Sequence, residues 1–196
     1  MRKILILFSL ALCASCTSTK FNLKPDLQIE TLSICVSYSD VVPDSVRSRF
    51  DKAISGLIVK FNSSPHKFKL STCNDSTKSA FKVYVKKTSL ISTPEQIGAT
   101  LANLVGITLP IVLIATYSSF YVAFCYFPND VSRLNYGLTN DLTLRDTTIN
   151  KTISSTGYLQ SKKRQIINHS ITFREFLKKE LIKLEKQYIK ESRLKK

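Results

Sequence analysis

Histidine occurs twice in this chain, glycine five times and tryptophan not at all. Each shortage excludes something. Five scattered glycines build no Gly-rich phosphate loop, and no serine sits on an elbow between glycines. His66 and His169 lie far apart in polar settings, form no helical zinc-binding pair, and read as ordinary surface residues. Asp141 and Asp146 fit a strand face and its turn better than a catalytic carboxylate pair. No metal, no cofactor and no catalytic site is therefore expected, and the chain is read as non-enzymatic.

Charge is also missing, in one place: no Lys, Arg, Asp or Glu occurs from Gln96 to Asn129, and the centre of that stretch, Leu104 to Phe127, reads LVGITLPIVLIATYSSFYVAFCYF. Elsewhere charge is plentiful and one-sided. The 196 residues carry a net charge of +15, with a sequence pI near 9.7. With 43% hydrophobic and 22% charged residues the chain is too apolar to stay disordered, and its length suits one domain, or one domain plus a membrane segment.

The first residues, MRKILILFSLALCASC, place Arg2 and Lys3 before an apolar run from Ile4 to Leu12 and end on small residues before Cys16. This is the layout of a cleaved signal peptide, its apolar run being shorter than the roughly 20 residues a bilayer span requires. Ala14, Ser15 and Cys16 resemble the lipobox of bacterial lipoproteins; Cys13 departs from it, standing where that family usually has Leu, Val or Ile. The resemblance covers the address tag alone. It implies that Cys16 is acylated, palmitate included, and becomes the mature N-terminus of a protein of the bacterial cell envelope, its main domain periplasmic. Thr17 is not the Asp that favours inner-membrane retention in enterobacterial lipoproteins. An export signal also removes nucleic acid as a partner, despite the basic charge, and no aromatic and basic residues interleave as a stacking platform.

After a polar tether, Leu32 to Tyr38 alternates as a half-buried strand. Pro43 and Asp44 open a helix in which Val46, Phe50, Ile54, Leu57, Ile58 and Phe61 recur at helical spacing, ending at Asn62 to Pro65. Strands follow over Lys67 to Thr72 and Ala80 to Leu90, joined by a hairpin loop at Asn74 to Thr77. Cys35 and Cys73 both fall on the parity facing away from the core. If their strands are neighbours a disulfide is geometrically possible; otherwise they are two separate half-buried thiols.

Beyond the uncharged stretch, Leu134 to Arg145 reads as one long alternating strand, with a return strand over Thr152 to Gln160 and a basic connection at Ser161 to Arg164. Thr172 and Glu175 suggest a capping box, starting a helix whose apolar stripe is Phe173, Phe176, Leu177, Leu181, Leu184 and Tyr188 and whose outer face is lysine.

The expected fold class is thus α+β: a small, mostly antiparallel sheet with two amphipathic helices, interrupted by a long hydrophobic membrane-type segment. Its divisions are a signal peptide (1–15), a lipidated tether (16–28), the first part of the domain (29–95), the uncharged segment (96–129) and the second part with the basic C-terminal helix (130–196). As a helix, Leu104 to Phe127 would be about 36 Å long, beyond the roughly 30 Å hydrocarbon core, and its second half carries a belt of aromatics. Pro110 breaks it, and a single crossing would leave halves of fewer than about 80 residues on opposite sides, each marginal alone. A single span, a hairpin returning to the same side, and burial within protein all remain open. Leu104, Pro110, Ile114, Phe120 and Phe124 are its candidate membrane-contacting residues. The expected partners are membrane lipid, through acylated Cys16 and residues 96–129, and an envelope protein complex. The role expected is binding or structural, the alternative being a subunit of an envelope transport or assembly complex held by the hydrophobic segment.

Overall fold

The structure is a computed structural model that describes residues 20–25, 27–73, 79–98, 101, 129–145, 147–156 and 160–193. Five strands, β1 (Thr31–Tyr38), β2 (Lys69–Thr72), β3 (Ala80–Ser89), β4 (Asn129–Leu138) and β5 (Ile149–Thr156), form one sheet in the order β2-β1-β3-β4-β5. Helices α1 (Asp44–Asn62) and α2 (Lys162–Arg193) pack on one of its faces, and a further short helix begins at residue 93.

The strands carry strict alternation into three dimensions. Leu32 and Ile34 of β1, Phe81, Val83 and Val85 of β3, and Leu134, Tyr136 and Leu138 of β4 point to the helices and are buried. On α1 the buried residues Val46, Phe50, Ile54, Leu57 and Phe61 recur every three or four positions, giving one apolar stripe. Pro43 takes the N-cap position in extended backbone with no side-chain cap, while Asp44 sits in the first turn 3.6 Å from Arg47. Phe50 stacks on Phe173 of α2 with ring centroids 4.2 Å apart, joining the two helices above the sheet.

The expected fold class is corrected in two respects. First, the sheet is mixed rather than mostly antiparallel, because β1 runs parallel to both β2 and β3, and only β3-β4 and β4-β5 are antiparallel. The physical reason is the crossover of α1, which returns β2 beside β1 in the same direction. β1 then lies between β2 and β3, so the loop after Cys73 cannot close a hairpin between them. Second, the uncharged segment does not divide the domain. Ser89 and Val131 are register partners, so residues 90–128 simply connect two adjacent antiparallel strands. A chain that leaves from β3 and re-enters at its paired neighbour ends on the side of any membrane where it began. The single span is therefore excluded, and no helix among the described residues is long and apolar enough to cross a membrane.

Two further boundaries differ. β4 ends at Leu138, where a turn sends Leu142 into the core and leaves Leu144 64% exposed. α2 begins ten residues before Thr172, whose hydroxyl donates to Asn168 O within the helix rather than capping it. Ser161 holds the helix start instead, accepting the Arg164 amide at 3.3 Å. The first turns of α2 bury Gln165, His169 and Ser170, so its inward stripe begins polar and turns apolar only at Phe173.

Those polar positions make α2 a clasp for the rest of the chain. The Gln165 side chain bonds Ile91 N and O (2.9 and 2.8 Å), Glu180 accepts from Tyr136 of β4 (3.1 Å), and Gln187 accepts the Phe21 amide (3.1 Å). Phe21 and Leu23 are buried, and Leu23 pairs with Thr143. From Phe21 onward, therefore, the segment assigned to the tether packs on the domain, at the end of the sheet where β3 begins; Phe21 and Phe81 rings lie 6.3 Å apart. The uncharged stretch leaves and re-enters at the opposite end.

Candidate functional site

With α1 and α2 on one face, no helix of the described residues covers the other face over β3, β4 and β5. Its residues follow from register. Ser37, Tyr84, Asn135 and Asn150 are successive Cα partners across β1, β3, β4 and β5, forming one polar row on the face away from the helices. At the strand spacing of about 4.8 Å the row is roughly 14 Å long. Tyr84 is 41% exposed, an unusual position for an aromatic ring.

Cations flank this row on both sides. Lys82 lies in the row toward the start of β3, beside Cys35 and Gly137. On the other side, Lys87 pairs with Arg133 and Arg133 with Thr152. A register irregularity between Val85 and Lys87 adds an extra residue there, and the Lys86 ammonium donates to Asn150 Oδ1 at 3.2 Å across the face. Lys82, Lys86, Lys87 and Arg133 are all exposed, and none of the residues in these three rows is a carboxylate. The Oδ1 atom of Asn135, in the middle, is buried without a hydrogen-bond partner among the described residues.

The face is bounded below. Gly137 is approached by the backbone of Thr147, whose carbonyl oxygen would sit 2.5 Å from a Cβ at that position. Only glycine permits that loop to lie so close.

At the β2 side, Cys35 and Cys73 are joined by a disulfide with a Cα–Cα distance of 4.7 Å. They continue the parallel register in which Ile34 partners Thr72, and the preceding pair, Ser33 and Ser71, is hydrogen bonded at 2.8 Å. Cys16 lies outside the described residues, as do Leu104, Pro110, Ile114, Phe120 and Phe124.

Neither histidine is an ordinary surface residue. His169 is fully buried on α2, its Nδ1 3.3 Å from Ser132 Oγ, which is in turn 3.1 Å from Thr88 Oγ1. A serine beside a histidine suggests a nucleophile, but this pair is sealed in the core between β4 and α2, where a substrate has no path. His66 stacks on Phe61 at 3.6 Å and donates to Glu185 Oε2 at 2.8 Å, while Glu185 Oε1 accepts the Lys67 amide at 2.7 Å. That carboxylate ties the loop before β2 to α2. The signal for both histidines was their place in helical register or beside an aromatic, which a reading of polar neighbours passes over. Of the two aspartates, Asp141 is exposed in the turn after β4 and Asp146 lies outside the described residues.

Among the described residues, two ionisable groups are displaced. Burial, followed by the Asp51 carboxylate 2.6 Å away, pushes the Tyr38 hydroxyl well above the ordinary phenol range. Hydrogen bonds from the Ser92 amide and hydroxyl hold Glu95 below the usual carboxylate range. The Glu95 amide returns a bond to Ser92 Oγ, forming a capping box at the start of the short helix. Gln96 beside it bonds Gln160 N and O (2.6 and 2.9 Å), so the root of the uncharged stretch is fastened to the connection between β5 and α2.

No family model matches the chain, and no curated protein does. Eight solved chains match its fold. One is the crystal structure of a neuraminyllactose-binding hemagglutinin homolog from Helicobacter pylori, 12% identical, with a TM-score of 0.43 over 88% of this chain and 91% of that one. A likeness that loose carries no inference about ligand or activity.

Proposed function

We propose that this chain is a lipid-tethered, non-enzymatic binding protein of the bacterial envelope, held by an acylated Cys16 and presenting the open sheet face to its partner. The observation that carries the reading is the asymmetry of the sheet. One face is covered by α1 and α2, and the other is a polar, cationic surface of Tyr84, Asn135, Asn150, Lys82, Lys86 and Arg133 over which no helix of the described residues lies. The Cys35–Cys73 disulfide supports an oxidising compartment, in keeping with the export signal and the main domain lying in the periplasm. Phe21 is buried and its amide bonds Gln187, so a tether from Cys16 would hold the domain close to its membrane. Residues 96–129 supply a second contact, with lipid or with a protein of an envelope complex, at the far end of the sheet.

Intact-mass and peptide mass spectrometry of the protein purified from membranes tests the tether. The expected species begins at Cys16 and carries the mass of its acyl chains. An N-terminus elsewhere, or an unmodified Cys16, overturns it.

A further inference from the structure

We infer that the open sheet face binds an acidic polysaccharide, a chain of sugar rings bearing carboxylate groups. The proposal rests on the reading of this face as the binding surface and names the chemistry it takes.

Three features of the face select that partner. The first is charge: Lys82, Lys86, Lys87 and Arg133 surround the row Ser37–Tyr84–Asn135–Asn150, and the absence of a carboxylate from these rows leaves their field uncompensated. An anion gains there, and Arg133 offers the planar fork that pairs with a carboxylate through two parallel hydrogen bonds. The second is the row itself. A hydroxyl, a phenol ring and two primary amides in a line supply donors and acceptors for sugar hydroxyls, and an aromatic surface for the apolar side of a pyranose ring. The third is shape. A row of about 14 Å on a shallow twisted sheet accommodates several linked rings and offers no pocket for one small molecule.

A membrane surface fits less well. Anionic headgroups would satisfy the cations, but a lipid-binding face gains most of its affinity from apolar side chains that enter the acyl region. Tyr84 is the only large aromatic or aliphatic residue exposed in these rows. The outer side of α2 is basic too, with Lys179, Lys183 and Lys186 exposed, but it interleaves Glu175 and has neither aromatic nor amide row. It serves as the internal control for charge alone.

The test uses the full chain diluted below the micellar concentration of its detergent, with binding followed by interferometry on immobilised polyuronate, neutral dextran, and vesicles of phosphatidylcholine alone or with 30% phosphatidylglycerol (about one anionic lipid in three). Polyuronate binding at 0.15 M salt is expected, with dextran binding absent and, since the acyl chains and residues 96–129 enter any bilayer, vesicle binding no stronger with phosphatidylglycerol than without it. Lys86→Gln with Arg133→Gln should weaken polyuronate binding at least tenfold, and Tyr84→Ala at least fivefold. Lys179→Gln with Lys186→Gln removes the same charge from the helical side and should change it less than twofold. Circular dichroism and the thermal midpoint verify that each variant is folded; all the substituted side chains are solvent-exposed. Equal weakening by both double variants means nonspecific attraction to a basic protein and overturns the proposal. So does preference for the anionic vesicles, or loss of all binding while Cys16 is shown to be acylated, which leaves the tether standing and removes the ligand.

Discussion

Ser89 and Val131 are paired across β3 and β4, although the entire uncharged stretch of the chain lies between them. That one register pair determines how the sequence is to be understood. The strands on either side of the stretch belong to one sheet and share one core, so the stretch joins two neighbouring strands rather than dividing the domain into halves. The glutamines at its root agree. Gln96 is bonded to Gln160, and Gln165 to Ile91, fastening the departure point to the start of α2.

The Cys35–Cys73 disulfide closes a loop with a sequence separation of 38. A chain-entropy estimate for such a loop is about 4 kcal/mol, with measured values typically about 2 to 4. Denaturant unfolding of the Cys35→Ser, Cys73→Ser double variant is expected to show a loss in that range. Unchanged stability, or equal stability with and without reductant in the unsubstituted protein, would contradict it.

Glycine substitutions should act in opposite directions. Gly137→Ala drives a methyl into the Thr147 carbonyl at 2.5 Å, a backbone atom that cannot swing aside, and should cost about 1 to 3 kcal/mol. Gly56 lies in the exposed interior of α1 with nothing within 4 Å of a Cβ, and Gly56→Ala should stabilise by about 0.5 to 1 kcal/mol. Thermal unfolding of the two variants decides between this assignment and one in which both glycines are dispensable.

Glu185 serves two partners, the Lys67 amide and His66 Nδ1. Glu185→Ala leaves the amide of Lys67 without its acceptor and should destabilise by about 1 to 3 kcal/mol, whereas Glu185→Gln keeps one acceptor and should cost less. Urea midpoints ranked the other way would remove this carboxylate from the clasp.

Tyr38 should respond to alkali. Its folded pKa is raised above the ordinary value of 10.0, so the neutral phenol is favoured in the native state and the unfolded chain gains by ionising. The stability due to this group is present below about pH 10 and declines as pH rises above it. In a spectrophotometric titration at 295 nm, Tyr38→Phe should give the same native phenolate amplitude as the unsubstituted protein. A smaller amplitude in the variant would show that Tyr38 titrates in the folded state.

How much of this was legible depended on whether burial and apolarity coincide. On α1 they do: Val46, Phe50, Ile54, Leu57 and Phe61 are both apolar and buried, and periodicity marks the helix to its ends. On α2 they part company over the first turns, where Gln165, His169 and Ser170 are the inward residues, so an apolar stripe locates only the part from Phe173. Alternation located the strands but not their directions, since the pattern of Leu32 and Ile34 is the same whether β1 runs with or against its neighbours. It also ran past the end of β4, because Leu142 and Leu144 keep the parity of Leu138 through a turn. The open face was within reach: Lys82, Tyr84 and Lys86 already alternate outward in the sequence. Its continuation through Asn135 and Asn150 needed the register.

Both sides of the uncharged stretch lie in one sheet, and the proposed function places that sheet on the periplasmic face of the envelope. Labelling of introduced cysteines tests this most directly, with Lys52→Cys before the stretch and Thr152→Cys after it, both exposed positions, treated with a membrane-impermeant maleimide in cells whose outer membrane alone is permeabilised. Peptide masses then separate the introduced sites from the native cysteines. Both positions are predicted to label to the same extent while the inner membrane is intact. Labelling of one, with the other protected until that membrane is broken, would contradict the account.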